Sequence, residues 1–500
     1  MTDAAPDRRT AAPTPDRAAL PLTLAIAVLA WLLTRNTSLT PGLNIPLLTL
    51  TLTVTLSVIA RKRGTPPNRA ALTVLTLGLL CAAGLATRDG TLATRLNALG
   101  LLTALTFGLS FLRFPGLHRL TLGETLGTLL NGFGHTATGL LRIAVRSPWR
   151  HLWPRPRPHT GRSRRILTGV LLTVPVLAVF GTLLGQADPR FAALFTHLPE
   201  WDMDLGPLSG SLLTILLWSF AAGGAVHAAL HATPPGRTPP GHAAPNRTGL
   251  GLTELGVPLV SLSVLFCAYL LVETLAAPAT GIVYSRYVRQ GFGELSAVAV
   301  LTLAVLLASH ALLRRDLRLT LPYRLMSAAV LLPLALLILS AYTRLSLYVT
   351  AYGLSETRVL GAVFLAWVTL ALATYAALGW RGRLERFAYF SLISGLSLTV
   401  TLDAVNPGHL IANVNLNRDL NHVTNTLRRT PQRTHLGDLL ALGADSVPVI
   451  VAHLDELPDL GETHAERLAT LRAVANDLIF PQDDWRTWNL GRARARAILP

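Results

Sequence analysis

The sequence predicts an all-α protein. It reads as a polytopic α-helical membrane bundle of about eleven transmembrane helices, with a small, mostly helical C-terminal extramembrane domain. Three observations carry this reading. Of the 500 residues, 51% are hydrophobic and only 14% are charged. The apolar residues cluster in runs of about 20, the length of helix that crosses the hydrocarbon core of a bilayer. Arginines punctuate those runs unevenly, which is the signature of membrane topology.

Taken in order, residues 1–18 are rich in Ala, Pro, Asp and Arg and read as a disordered cytoplasmic tail. Residues 19–112 hold four spans, near 19–33, 43–60, 70–86 and 96–112. The first follows a long, acid-containing leader and is succeeded by many more spans, so it reads as an uncleaved helix rather than a signal peptide. Residues 113–165 form a basic, amphipathic cytoplasmic loop, in which Thr121 and Glu124 make a capping box. Two spans follow within 166–231, near 166–185 and 210–230, and then a Pro/Gly linker at 232–249. Residues 250–405 hold five more spans, near 256–276, 292–313, 325–343, 359–380 and 385–405. Hydropathy falls from Asn406 onward, and 406–500 read as the extramembrane domain, with helices at 463–480 and 485–498.

The formal net charge is +17, carried almost wholly by arginine, with Lys62 the only lysine. Because these charges flank apolar spans, they imply topology and no nucleic-acid partner. With the N-terminus in the cytoplasm, the tail and inner loops hold 26 of the 44 basic residues and the outer loops hold 8. An odd number of spans then places the C-terminal domain outside. The localisation implied is the cytoplasmic (inner) membrane of a bacterium. In the inner loop, Trp149, Arg150, Trp153, Arg155 and Arg157 interleave aromatic rings with charge, a pattern suited to anionic lipid headgroups.

The same topology gathers a polar cluster at the outer face: Glu273, Tyr287, Arg289, Glu294, Arg344, Tyr348, Tyr352, Glu356 and Arg358. Arg344, Tyr348 and Tyr352 recur at i, i+4 spacing and share one helical face. Gly353 reads as a helix stop and Ser355 as the next cap. Two roles suit such residues. Arginines can hold an anionic ligand while tyrosines stack or donate. They can equally form an interfacial belt of Arg–Glu pairs that locks helices and seats the C-terminal domain. Glu273 is an acid inside a span, the residue type that carries ions or protons when it is not paired. Asp403 lies near the outer end of the last span.

No catalytic constellation is present. There is no phosphate-binding glycine loop, nucleophile elbow or zinc-peptidase motif. His227 and His231 lack a neighbouring acid or thiol, and Cys81 and Cys267 both lie in spans, so neither a metal, a disulfide nor a cofactor is implied.

Several short stretches carry a family resemblance. They are A-D-P-R-F at 187–191, Y-V-R-Q-G-F-G-E-L at 287–295, Y-G-L-S at 352–355 with Arg358, Asn406-Pro407, I-A-N-V-N-L at 411–416 and A-D-S-V-P at 444–448. With these, residues 165–450 are similar to the bacterial multi-pass proteins grouped as domain-of-unknown-function family 4173. The resemblance implies a membrane bundle and brings no activity with it. The reading that follows is a non-catalytic sensor, scaffold or regulatory module with a protein partner at its C-terminal domain. The alternatives are a secondary transporter using the outer Tyr/Arg/Glu cluster and a lipid- or glycan-modifying membrane enzyme.

Overall fold

The computed structural model describes residues 19–35, 37, 40–62, 67–113, 251–275, 284–420, 436–457, 460–478 and 484–499. The chain divides into two compact units, Met1–Trp31 with Thr138–Gly224, and Leu32–Ala137 with Ala225–Pro500. Of the first unit only residues 19–31, most of one apolar helix, are described. The packing and the polar centres described below lie in the second unit.

Among the described residues the elements are α-helices and short 3₁₀ turns, with no strand. The long helices are α1 Ala19–Thr34, α2 Asn44–Lys62, α3 Arg69–Thr87, α4 Thr91–Arg113, α5 Leu252–Leu275, α6 Tyr284–Leu312, α7 Leu321–Tyr352, α8 Glu356–Trp380 and α9 Phe387–Val405. The C-terminal elements are α10 Pro407–Leu420, α11 Leu436–Leu440, α12 Val447–Ala452, α13 His464–Leu478 and α14 Leu490–Ile498. Six helical segments among the described residues are long and apolar enough to cross a membrane; they fall on α2, α3, α4, α7, α8 and α9. Shorter apolar stretches lie in α1, α5 and α6. The expectation of eleven spans is thereby narrowed. Those at 166–185 and 210–230 lie outside the described residues, as does the loop with Trp149, Arg150, Trp153, Arg155 and Arg157.

Two helices run beyond their expected apolar spans for one reason. Helix α7 runs for 32 residues, past the span at 325–343 and through Arg344, Tyr348 and Tyr352, and it ends at Gly353 as the sequence reading has it. Helix α6 takes in Tyr287–Leu295 as its opening turns. At 1.5 Å per residue α7 is about 48 Å long, well beyond a hydrocarbon core of about 30 Å. A helix that leaves the bilayer gains nothing by breaking its backbone hydrogen bonds, so polar side chains simply extend it. Conversely, the helix expected at 485–498 is broken. A 3₁₀ turn at Trp485–Thr487 precedes Asn489, whose side chain caps the N-terminus of α14.

Small residues bring the membrane helices together, the packing expected where no water drives association. Gly78 of α3 faces Ala104 of α4, and Gly108 of α4 faces Leu75 of α3. Buried Leu396 of α9 completes this group. A second core joins α5 to α8 around Leu259, Leu306, Leu334 and Leu365. Within it the buried Tyr375 hydroxyl donates to the Leu306 carbonyl at 3.2 Å and lies 3.4 Å from the Tyr323 hydroxyl. The Trp367 indole donates across to the Ser391 carbonyl at 3.1 Å.

The C-terminal elements bury Ile411, Leu439, Val447, Ile450, Leu454 and Leu471. This core is completed by Leu92 of α4, Val359 of α8 and Leu402 of α9. The domain is therefore seated on one end of the bundle, formed by the α3–α4 turn, the α7–α8 turn and the end of α9. The turns at the other end carry arginine, including Arg314, Arg318, Arg381, Arg383 and Arg386.

A Cβ at Gly78 would stand 2.6 Å from the Ala104 Cβ, whereas one at Gly379 meets Leu384 no closer than 3.5 Å. Gly78→Val is expected to cost about 1–3 kcal/mol by overpacking, read as a lowered thermal midpoint of the solubilised protein. Gly379→Ala should leave that midpoint within about a degree or raise it, because alanine is the better helix former.

Candidate functional site

The turn between α7 and α8 is built by its own side chains. Gly353 takes a left-handed φ of 75° and ends α7. Arg358, one turn into α8, reaches back to donate from Nη1 to the carbonyls of Tyr352 at 3.0 Å and Gly353 at 2.6 Å. Its guanidinium lies 4.3 Å from the centre of the Tyr348 ring, and Tyr348 packs on Tyr352 with ring centres 5.0 Å apart. Asn415 of α10 grips the turn from the other side. Its Oδ1 accepts from the Leu354 N–H at 2.7 Å and its Nδ2 donates to the Leu354 carbonyl at 2.8 Å. Glu356 opens α8 and sends Oε1 to the backbone N–H of Leu92 at 3.0 Å, capping α4 where its dipole is positive. Arg344 donates from Nη2 to the Tyr269 hydroxyl of α5 at 3.3 Å.

Of the remaining residues singled out from sequence, Glu273 falls in the last turn of α5. Tyr287, Arg289 and Glu294 fall in the opening turns of α6. Four of the nine, Tyr348, Tyr352, Glu356 and Arg358, are thus brought together around the α7–α8 turn.

Beside that turn lies a second polar centre. The α3–α4 turn is Arg88-Asp89-Gly90. The Asp89 backbone N–H donates to Asp445 Oδ2 at 2.8 Å, and Asp89 Oδ2 accepts from the Ala444 N–H at 3.1 Å. Each aspartate therefore accepts a backbone N–H from the other's turn. Arg492 Nη1 stands 3.3 Å from Asp89 Oδ1, and Arg88 Nη1 stands 3.9 Å from Asp445 Oδ1. Arg88 Nε also donates to the Asp403 carbonyl at 2.6 Å. Asn406, left-handed at φ 59°, ends α9 and donates to Asp445 Oδ1 at 3.3 Å. Asn489 donates to the carbonyls of Leu85 and Arg88, closing the C-terminus of α3. Arg492 Nη2 bonds the carbonyls of Pro41 and Thr487, both at 2.8 Å.

The glycines here are needed for approach. Gly443, at φ 88°, lies against the Asp89 backbone so closely that any Cβ would collide with the carbonyl, and Gly90 faces the Leu442 carbonyl. Further along α4, Asn97 Nδ2 donates to Asp403 Oδ1 at 2.7 Å. The buried Asn97 Oδ1 and Asp403 Oδ2 have no donor among the described residues.

Burial governs the electrostatics. Asp89 is pushed up to about 6 by loss of solvent, with the neighbouring Asp445 adding a smaller upward push; Arg492 and the Ala444 N–H only partly oppose this. Arg492 is pushed down by the same desolvation, and Asp89 partly restores it. Burial thus opposes the charge on both partners of the ion pair. Such a pair gives register more than net stability. Among the described residues no three His, Cys, Asp or Glu side chains come together as a metal site.

Sequence reasoning placed Asp403 at the correct end but missed Arg88, Asp89, Asn97, Asp445 and Arg492 as a group. A signal was present in Asp89-Gly90 and in A-D-S-V-P, two acid-bearing turns that flank apolar helices. Residues 71–453 match the family described as Domain of unknown function (DUF4153), and the chain belongs to that family. This corrects the resemblance to family 4173. Of the stretches that suggested it, 352–355, 406–407 and 444–448 fall at helix caps and turns, 287–295 and 411–416 lie within helices, and 187–191 lies outside the described residues. It also corrects the reach of the resemblance, since the match takes in α4 and nearly all of α3. Asp89, Asn97, Asp403 and Asp445 lie within the matched residues, and Asn489 and Arg492 lie beyond them. No curated protein and no solved structure matches the chain.

Removing Arg492 leaves Asp89 buried without its closest cation. Arg492→Gln is expected to destabilise by about 3–5 kcal/mol, measured as loss of thermal midpoint. The sign of the pH dependence follows from Asp89. Its folded-state value lies above the ordinary 3.8, so the folded state holds the proton more tightly. Stability from this group is present at low pH and is lost as pH rises from about 4 to about 6, by up to about 3 kcal/mol. Asp89→Asn should flatten that window in a pH series of unfolding midpoints.

Proposed function

We propose that this member of the family is a non-catalytic membrane module whose bundle holds its C-terminal domain ready for a regulatory or scaffolding partner. One observation carries the reading. Polar side chains at the domain end of the bundle are engaged in seating that domain: Glu356 caps α4, Arg358 caps α7, and Asp89 and Asp445 bind across the seat. A site for turnover leaves such groups facing a cavity that substrate can enter.

The proposed setting is a bacterial cytoplasmic membrane, with the N-terminus inside, about eleven spans, and the C-terminal domain outside. Support comes from charge. The turns opposite the domain carry the arginines that stay in the cytoplasm. The loops meeting the domain, at 40–43, 88–90 and 353–355, all fall on one side in an eleven-span arrangement. Anionic headgroups at the 113–165 loop and a protein partner at the C-terminal domain complete the proposal.

Asp445→Asn combined with Arg492→Gln should release the domain while the bundle remains in the membrane. Where deletion of the gene gives a phenotype, this double variant is expected to reproduce it at near-normal abundance. Purified chain in proteoliposomes should leave an imposed proton or sodium gradient intact; its dissipation, abolished by Asp403→Ala, would sink the reading in favour of transport. Cysteines placed at Arg494 and at Arg383 should label from the outside and the inside respectively.

A further inference from the structure

We infer that the last described segment, Asp484–Leu499, is an interfacial anchor that binds the anionic phospholipid headgroups of the leaflet beneath the C-terminal domain. Its level is fixed by backbone contacts with membrane helices. Arg486 Nη1 donates to the Leu32 carbonyl at 2.6 Å, in the last turn of α1. The Leu43 N–H donates to the Trp488 carbonyl at 3.1 Å, one residue before α2 and its candidate span begin at Asn44. Gly42 packs against the Thr487 backbone with no room for a Cβ. The segment therefore lies at the height where the candidate span of α2 begins.

The side chains at that height suit a headgroup region. Trp485 and Trp488 are 64% and 43% exposed, unusual for indoles on a water-facing surface and ordinary at a membrane interface. Helix α14 is amphipathic. Its inner face buries Gly491, Arg492 and Ala495, and its outer face presents Arg494, Arg496 and Ile498. From 484 to 499 the only acid is Asp484, and it is bound to Arg486. The exposed charge is thus uniformly positive, and an anionic lipid surface complements it. This anchor is distinct from the one expected around Trp149 and Trp153, and it belongs to the opposite leaflet in the arrangement proposed above. The inference uses the proposed topology only to name the leaflet.

The test uses the full chain in nanodiscs of phosphatidylcholine alone and of phosphatidylcholine with 30% phosphatidylglycerol, followed by amide hydrogen exchange of peptides covering 484–499. Exchange should slow by about tenfold or more with phosphatidylglycerol, the order expected when two arginines face an anionic surface. Arg494→Gln with Arg496→Gln should remove the difference. Peptides covering 88–97 report whether that variant keeps the domain seated. Equal exchange of the unmodified chain in both lipids would overturn the inference without recourse to any variant. So would protection that rises with protein concentration in both lipids, which would mark contact with a second copy.

Discussion

The reciprocal binding of Asp89 and Asp445 is the constraint on which the domain end of this structure depends. Each aspartate accepts a backbone N–H from the other's turn, so neither turn keeps its shape alone. Two carboxylates this close need cations, and Arg88 and Arg492 arrive from opposite ends of the chain to supply them. The surrounding geometry follows. Gly90 and Gly443 allow the backbones to approach, Asn406 turns α9 toward Asp445, and Asn489 closes α3. The apolar contacts of Leu92, Val359 and Leu402 with the domain core become possible only once these polar groups are satisfied.

The division of labour between polar and apolar contacts is that of a membrane protein. Within the bilayer, packing relies on small residues such as Gly78, Ala104 and Gly108. At the exit, helices that end in lipid or against another domain must hand their free backbone groups to someone else. Glu356, Arg358, Asn415 and Asn489 take that task for α4, α7, α10's contact with Leu354, and α3. Two side chains of the expected polar cluster, Glu356 and Arg358, serve as helix caps in the fold.

What was legible in the sequence follows from the same physics. Apolar runs declare helices because length and hydropathy are local properties, and six of the expected spans fall on helices long and apolar enough to cross a membrane. Ends were harder. The apolar span near 325–343 ends before the helix does: the i, i+4 spacing of Arg344, Tyr348 and Tyr352 and the stop at Gly353 mark the true end, because leaving the bilayer does not require leaving the helix. The aspartate pair was hardest, since 356 residues separate its partners and no periodicity links them. Asp445 sat within a quoted motif and Asp403 was placed at the right end, but only the docked domain shows what they share. Arg492 lies outside the matched family segment altogether, so no reading of that segment alone finds the cation for Asp89.

That distance along the chain has a consequence in time. The turn at Pro41 receives Arg492, which is 451 residues further on. At ribosomal rates of about 5–20 residues per second, that partner emerges on the order of 20–90 s later. Throughout this interval the α3–α4 turn must stay hydrated, with Asp89 in water rather than beneath the domain. Closure of the seat therefore waits for Arg492, and a nascent chain held short of it carries an open, solvated end.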